Sequence, residues 1–143
     1  MDIKILYTFP MEVFSWSDKR ITQAAYDFYK QGRADNTIII GMFDGDKIIG
    51  ASAVVLDKVV WKWVHGITIV NPEYRGKGVG VKLIKHKAKL QKIACPGVII
   101  ETLVGSKNVK SIKMCLKAGF KLVNANERYT NSGKTYVALK FVL

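Results

Sequence analysis

The run Val70-Asn71-Pro72-Glu73-Tyr74-Arg75-Gly76-Lys77-Gly78-Val79-Gly80 constrains the fold most, because it joins an apolar stretch to a basic amphipathic one through a glycine-rich turn. Val59 to Val70 is rich in Val, Ile and Trp and reads as a strand. Beyond the glycines, Val79, Leu83, Ile84 and Ala88 recur at helical spacing, so the turn sits at a helix N-terminus. The first N–H groups of a helix lack intrahelical partners, and with the positive end of the dipole they favour an anion. Gly76, Gly78 and Gly80 remove Cβ atoms that would hold a phosphate away from the backbone.

Spacing separates the known phosphate loops. A dinucleotide-binding G-x-G-x-x-G would need glycine where Val81 stands, and a P-loop would need Gly-Lys followed by Ser or Thr. The pattern present is Arg-x-x-Gly-x-Gly, at Arg75, Gly78 and Gly80. A second segment runs from Asn108 to Phe120: Asn108 opens a helix, Ile112, Cys115 and Leu116 form a short apolar stripe, and Gly119 suits the position just past the helix end. In this order, with a strand between them, the two segments resemble the two signatures of the GCN5-related N-acetyltransferase (GNAT) family, whose members bind acetyl-coenzyme A. The resemblance runs from about Asp44 to the C-terminus and is weak before it.

With 143 residues and 49% hydrophobic content, the chain is expected to form one domain, residues 1–143, with a sizeable core. Strands are expected at Ile3 to Thr8, Thr37 to Phe43, Lys47 to Leu56, Val59 to Val70, Val98 to Val104, Phe120 to Val123 and Lys134 to Val142. Helices are expected at Ser17 to Gln31, Gly78 to about Ile93 and Asn108 to Lys117. In the first, Ile21, Ala24, Ala25 and Phe28 share a face and Gly32 lies beyond the end. Asp44-Gly45-Asp46 marks a hairpin, and a polar loop containing Asn131-Ser132-Gly133 is expected before the last strand. The order, meander first and β-α-β-α-β later, matches an α+β fold: a GNAT-like mixed, mostly antiparallel sheet of six to seven strands, flanked by helices and splayed at the cofactor cleft.

Charge is unevenly placed. Residues 1–74 carry 8 Lys/Arg and 9 Asp/Glu, while residues 75–143 carry 15 and 2, within a net charge of +12. A basic field around the loop raises the capture rate of a polyphosphate ligand. Lys82, Lys85, Lys87, Lys89 and Lys92 are spread around their helix and read as a solvated face, with nucleic-acid contact as a less favoured alternative. The apolar run Ile3 to Phe9, with Asp2 in front, is too short for a signal peptide or a membrane span. The expectation is a cytoplasmic protein, monomer or homodimer, with no membrane partner. Cys95 and Cys115 lack metal-ligand spacing, so free thiols and no metal are expected.

The resemblance implies acyl transfer from acetyl-CoA to a primary amine by direct attack. It implies cofactor contacts at Thr68, Ile69, Val70, Arg75, Gly76, Lys77, Gly78, Val79, Gly80, Asn108, Ser111 and Cys115. It also implies that a backbone N–H at a bulge near the strand end, at Val70, stabilises the oxyanion. Asn71-Pro72 supports a splay there, because proline cannot continue a ladder. The pantetheine arm would enter the gap beside Val98 to Val104. Candidate catalytic residues are Asn108, Val70, and His65 or Glu101 as general base, with a water chain as the other option. Many members of the family carry tyrosine seven residues after the helix-opening Asn, where it protonates the leaving sulfur; this chain has Cys115. That thiol is either a substitute acid or a packed core residue, and Tyr129 and Tyr136 are further phenols on the last hairpin. Three function classes stay open: an acetyl-CoA-dependent N-acyltransferase acting on a small-molecule or protein amine, a catalytically silent CoA-binding sensor, and a basic nucleic-acid-binding module.

Overall fold

A computed structural model describes residues 1–17, 19–31, 36–131 and 133–143, with the side chains of residues 19–22, 24 and 131 outside the description. The sequence readings at Gly32 and Ser132 lie outside the described residues, as do those of the Ile21 and Ala24 side chains. The chain runs β1 (Asp2–Ile5), a 3₁₀ segment (Met11–Trp16), α1 (Lys19–Lys30), β2 (Thr37–Asp44), β3 (Lys47–Asp57), β4 (Lys62–Val70), a short 3₁₀ turn (Pro72–Tyr74), α2 (Val79–Ala94), β5 (Glu101–Gly105), α3 (Val109–Lys117), β6 (Lys121–Asn131) and β7 (Lys134–Val142). The strands form two antiparallel sheets, ordered β1-β2-β3-β4 and β5-β7-β6, so β4 and β5 are edge strands of different sheets.

The interior of the first sheet explains why β3 lacks the apolar–polar alternation of a half-exposed strand. Residues Ile49 to Leu56 are all buried, because helices cover both faces. On one face Ala51, Ala53, Val55, Ile67 and Ile69 pack with Phe9, Val13, Phe14 and Tyr29 of the N-terminal elements. On the other, Val54, Leu56 and Trp63 join Ile84 and Ala88 of α2, Cys115 of α3 and Phe141 of β7. A third cluster, Ile40, Met42, Ile49, Val79 and Leu83, seats the start of α2.

Several boundaries differ from the sequence reading. Val59, Val60 and Trp61 are exposed and form a turn, because Asp57 Oδ1 accepts from Val59 N at 2.9 Å and Trp61 takes φ +51°. β5 starts at Glu101 because the preceding chain still turns, with Val98 N donating to Cys95 O at 3.1 Å. The expected first helix is α1, but a 3₁₀ segment at Met11–Trp16 that the sequence reading did not include precedes it, and β1 ends at Ile5. The largest difference is β6, which extends through the segment read as a polar loop. It pairs with β7 from Lys121↔Val142 to Asn131↔Lys134, with register shifts at Leu122/Asn124 and Asn124/Glu127.

Candidate active site between β4 and β5

Backbone pairing decides what the edge of β4 offers. Asn71 N donates to Ile49 O at 2.9 Å, and the same antiparallel register pairs Val70 with Gly50, Ile69 with Ala51 and Thr68 with Ser52. Hydrogen-bonded and non-hydrogen-bonded pairs alternate, so Ile69 bonds to β3 while the N–H groups of Thr68 and Val70 point away from it. The same parity on the facing edge starts from Leu143 N to Ile100 O and turns the backbone groups of Glu101 and Leu103 toward the gap. Each edge strand therefore presents a row of backbone donors and acceptors that its own sheet leaves unpaired, and Trp63 of β4 and Val104 of β5 share one core cluster. Val70, the expected oxyanion donor, turns its N–H away from β3. Ile69, an expected cofactor contact, bonds to β3 through its backbone and has a buried side chain.

The bulge lies elsewhere than expected. β4 stays in register through Val70, and the irregularity falls between Ala53↔Ile67 and Val55↔Val64, where His65 and Gly66 together face Val54. His65 takes φ +54° and its carbonyl accepts from Tyr29 Oη at 2.8 Å. Its ring stacks on Phe28 of α1, with centroids 4.5 Å apart and an interplanar angle of 18°. His65 thus lies on the α1 face of the sheet and is exposed. Burial pushes the Tyr29 phenol far above its ordinary range, so it acts as a neutral donor to that carbonyl.

The loop after β4 ends at Gly78, which precedes α2 with φ +80° and ψ 8° and gives no side-chain cap. The first helical bond runs from Lys82 N to Gly78 O at 3.1 Å, leaving the N–H groups of Val79, Gly80 and Val81 without intrahelical acceptors. A Cβ on Gly78 would meet nothing, so the loop surface is open there. Gly80 has a different reason to be glycine: a Cβ there would overlap Met114 Sδ of α3. Packing against α3 thus calls for glycine at position 80 independently of any phosphate. Gly76 is exposed with φ +78°, and Lys77 lies over the Tyr74 ring, 5.3 Å from its centroid. Tyr74 Oη donates to Asp44 at 2.9 Å, and that bond raises the phenol above its ordinary range.

Arg75 is engaged with the backbone. Its Nε donates to Val70 O at 3.3 Å and its Nη2 to Trp16 O at 2.5 Å, tying the loop to the 3₁₀ segment. Asn71 Oδ1 accepts from Glu73 N at 3.0 Å and opens the turn at Pro72.

Asn108 caps α3, its Oδ1 accepting from Ser111 N at 3.3 Å. Asn108 and Ser111 are both half-buried at the end of β5. Cys115 is buried on the inner face of α3, and burial pushes its thiol above the ordinary range. Glu101 is tied to Lys140 at 3.5 Å, and Lys140 also reaches Glu127 at 4.0 Å. Tyr129 stacks on Tyr136 at 5.4 Å, and Tyr129 Oη lies 3.7 Å from where a Cβ on Gly105 would be.

Two groups were missed. Lys87, read as part of a solvated face, is half-buried, and its Nζ lies 3.5 Å from Ala53 O. Desolvation lowers its pKa to about 8, partly offset by Cys115. The signal was available in its spacing, since Lys87 lies seven residues after Gly80 and three after Ile84, on the stripe that meets α3. Trp63 Nε1 is buried without an acceptor, which no sequence pattern marks. Among the described residues, no three His, Cys, Asp or Glu side chains could converge on a metal, and both cysteines are free. No helix among them is long and apolar enough to cross a membrane.

An open loop at a helix start, joined to a gap between two edge strands, fits a ligand with a polyphosphate head and an amide-bearing arm. The family model described as Acetyltransferase (GNAT) family matches residues 3–120. The chain belongs to the GNAT acetyltransferase family. It is accordingly an acetyl-CoA-dependent N-acyltransferase with the GNAT fold. A search of curated proteins finds no match. Solved structures of the same fold include an IAA acetyltransferase from Bacillus cereus, with a TM-score of 0.70, 17% identity and 99% of each chain covered. A spermidine N-acetyltransferase from Vibrio cholerae in complex with CoA and spermine has a TM-score of 0.63 at 14% identity, covering 99% of this chain and 94% of that one. Arabidopsis thaliana NAA60 in complex with a bisubstrate analogue has a TM-score of 0.66 at 14% identity, covering 99% and 97%.

Proposed function

We propose that this GNAT enzyme acetylates a primary amine by direct attack on acetyl-CoA held between β4 and β5. The observation that carries the reading is the outward parity of the Thr68 and Val70 N–H groups beside the uncapped start of α2. The residues fit the group. Val79, Gly80 and Val81 N–H would hold the pyrophosphate, the edges of β4 and β5 would take the pantetheine amides, and Asn108 and Ser111 would border the arm from α3. When bound, acetyl-CoA supplies a thioester activated toward amines.

The chain's own groups then meet the demands of the step. Val70 N–H would stabilise negative charge developing on the carbonyl oxygen. His65, on the α1 face, is the better candidate to receive the amine's proton, because Glu101 is engaged with Lys140. The α1 face is thus the acceptor side.

The acceptor we infer is a neutral or anionic small amine, or an exposed amine on a protein. Of the 11 carboxylates only Glu101 and Glu127 follow Glu73, and both contact Lys140. A polycation binds best where several carboxylates converge. A broad hollow of about 730 Å³ between the segment after β1 and the β2–β3 hairpin holds Glu12 and Asp46, but Lys47 shares its lining. The test is acetyl transfer to a panel of amino acids, amino sugars, peptide amines, spermidine and kanamycin. An efficiency for either polycation above about 10⁴ M⁻¹s⁻¹ would overturn the acceptor assignment. CoA release without any acceptor product would favour hydrolysis, and tight binding without turnover would favour a sensor.

A further inference from the structure

We infer that Lys87, reaching across from α2, stabilises and protonates the sulfur of coenzyme A as the thioester breaks; this rests on the acetyl-transfer reading above. Four observations place it. α2 begins at the phosphate loop, and Lys87 lies nine residues past Gly78, on the order of 13 Å along the helix, a distance an extended pantetheine arm can cover. Its Nζ contacts Ala53 O, and Ala53 pairs with Ile67, the neighbour of the gap-facing Thr68. From the far wall, Cys115 of α3 is close enough for the two groups to influence each other's ionisation. Lys87 has no carboxylate partner among the described residues, and its one hydrogen bond, at 3.5 Å, is long for an ammonium.

The surroundings favour a negative guest. The cluster that lines this region holds Trp63, whose Nε1–H lacks an acceptor, together with Cys115, Ile84 and Val104. Ser52 Oγ donates to Ile67 O at 3.0 Å and lies 2.7 Å from Thr68 Oγ1, so the Ser52 proton already has its acceptor. The titratable group felt at Lys87 is Cys115 on α3, and none on β2, β3 or β4 perturbs it. A half-buried cation whose one hydrogen bond is long, beside an indole N–H without an acceptor, suits a charge that arrives with the substrate.

The step balances. The C–N bond forms as the C–S bond breaks, and sulfur leaves with the bonding pair. The thiolate takes a proton from the Lys87 ammonium, and Lys87 regains one from water. The acceptor's surplus proton departs on the α1 face, to His65 or water. A lysine that merely caps Ala53 O would support the strand pairing beside the β4 bulge without acting on sulfur.

The test needs no acceptor. The thiol of bound CoA is titrated by its ultraviolet thiolate absorbance, as the difference between protein loaded with CoA and with desulfo-CoA. The expected result is a thiol pKa about one unit or more below that of free CoA in wild type. The shift should be abolished in Lys87→Met and retained in Lys87→Arg and Cys115→Ala, with desulfo-CoA affinity in Lys87→Met within about threefold of wild type. Lys87→Gln gives the same comparison if Lys87→Met does not fold. An unshifted thiol in wild type, a shift that survives loss of Lys87, or one lost in Cys115→Ala overturns the inference while leaving the family activity intact. Failure of wild type to bind either ligand overturns the proposed function and this inference with it.

Discussion

Met114 of α3 packs its sulfur against Gly80 of α2 so closely that no side chain fits at position 80. This contact sets the distance between the helix that begins at the phosphate loop and the helix that begins at Asn108. Gly78, two residues earlier, is open in space but fixed by φ +80°. The two glycines of the motif therefore fail differently. Gly80→Val is expected to lower stability by about 1–3 kcal/mol through overpacking. Gly78→Ala should cost about 1–2 kcal/mol through left-handed strain and weaken acetyl-CoA at the same time. Thermal melts paired with calorimetric titration separate the effects; a Gly80→Val protein with wild-type melting and lost binding would make close backbone approach to the phosphate, and not helix packing, the reason for that glycine.

Arg75 and Lys77 should also diverge. Because Arg75 holds Val70 O and Trp16 O, Arg75→Ala is expected to weaken acetyl-CoA and acetyl-pantetheine to a similar degree. Lys77 is free of carboxylates among the described residues, and Lys77→Ala should weaken only the phosphate-bearing ligand, by about threefold to tenfold at low salt. Affinities for both ligands in both variants check this, and a loss confined to acetyl-CoA in Arg75→Ala would make the guanidinium a direct phosphate contact.

His65 joins backbone strain to its proposed role as base. A non-glycine residue at φ +54° carries roughly 1–2 kcal/mol of strain, so His65→Gly should recover part of that while lowering kcat about 10²-fold or more. Unchanged turnover in a folded His65→Gly protein would transfer the base role to water.

Lys87 predicts a pH signature of stability. Its folded pKa of about 8 lies below the usual 10.5, so the ammonium opposes folding at neutral pH. As pH rises through 8 the folded state sheds its proton before the unfolded state does, and stability increases, by on the order of 1–3 kcal/mol if fully expressed. The rise should be clearest between pH 8 and 9, since the Cys115 thiol, held above its usual 9.0, acts in the opposite sense at higher pH. Denaturant melts across this window should show the slope in wild type and not in Lys87→Met; equal slopes would place the Lys87 ammonium in contact with solvent.

The parts of this fold that were legible in the sequence are those where local chemistry and tertiary contacts agree. The Gly78 turn, the Asn108 cap and the Asp44-Gly45 hairpin each carry their cause within a few residues. β6 was not legible: Asn124 and Asn126 read as loop residues, but Asn124 Oδ1 accepts from Asn126 N at 3.0 Å within an irregular edge strand whose pairing β7 dictates. The apolar Val59-Val60-Trp61 misled in the opposite sense, since Asp57 turns the chain there. At the site, the glycine turn carries its cause locally, whereas the pairing of Glu101 with Lys140 joins residues far apart in sequence and leaves no local signal.

The central claim is that acetyl-CoA lies along the open edge of β4, and amide hydrogen exchange read by NMR tests it most directly. In the free protein, Thr68 and Val70 should exchange quickly and Ile69 slowly, because only Ile69 N–H is bonded to β3. Saturating acetyl-CoA should protect Val70, Val79, Gly80 and Val81, and Thr68 to a lesser extent, by about tenfold or more while leaving Ile69 unchanged. Saturated binding with Val70 and the first turn of α2 still exchanging freely would contradict the account.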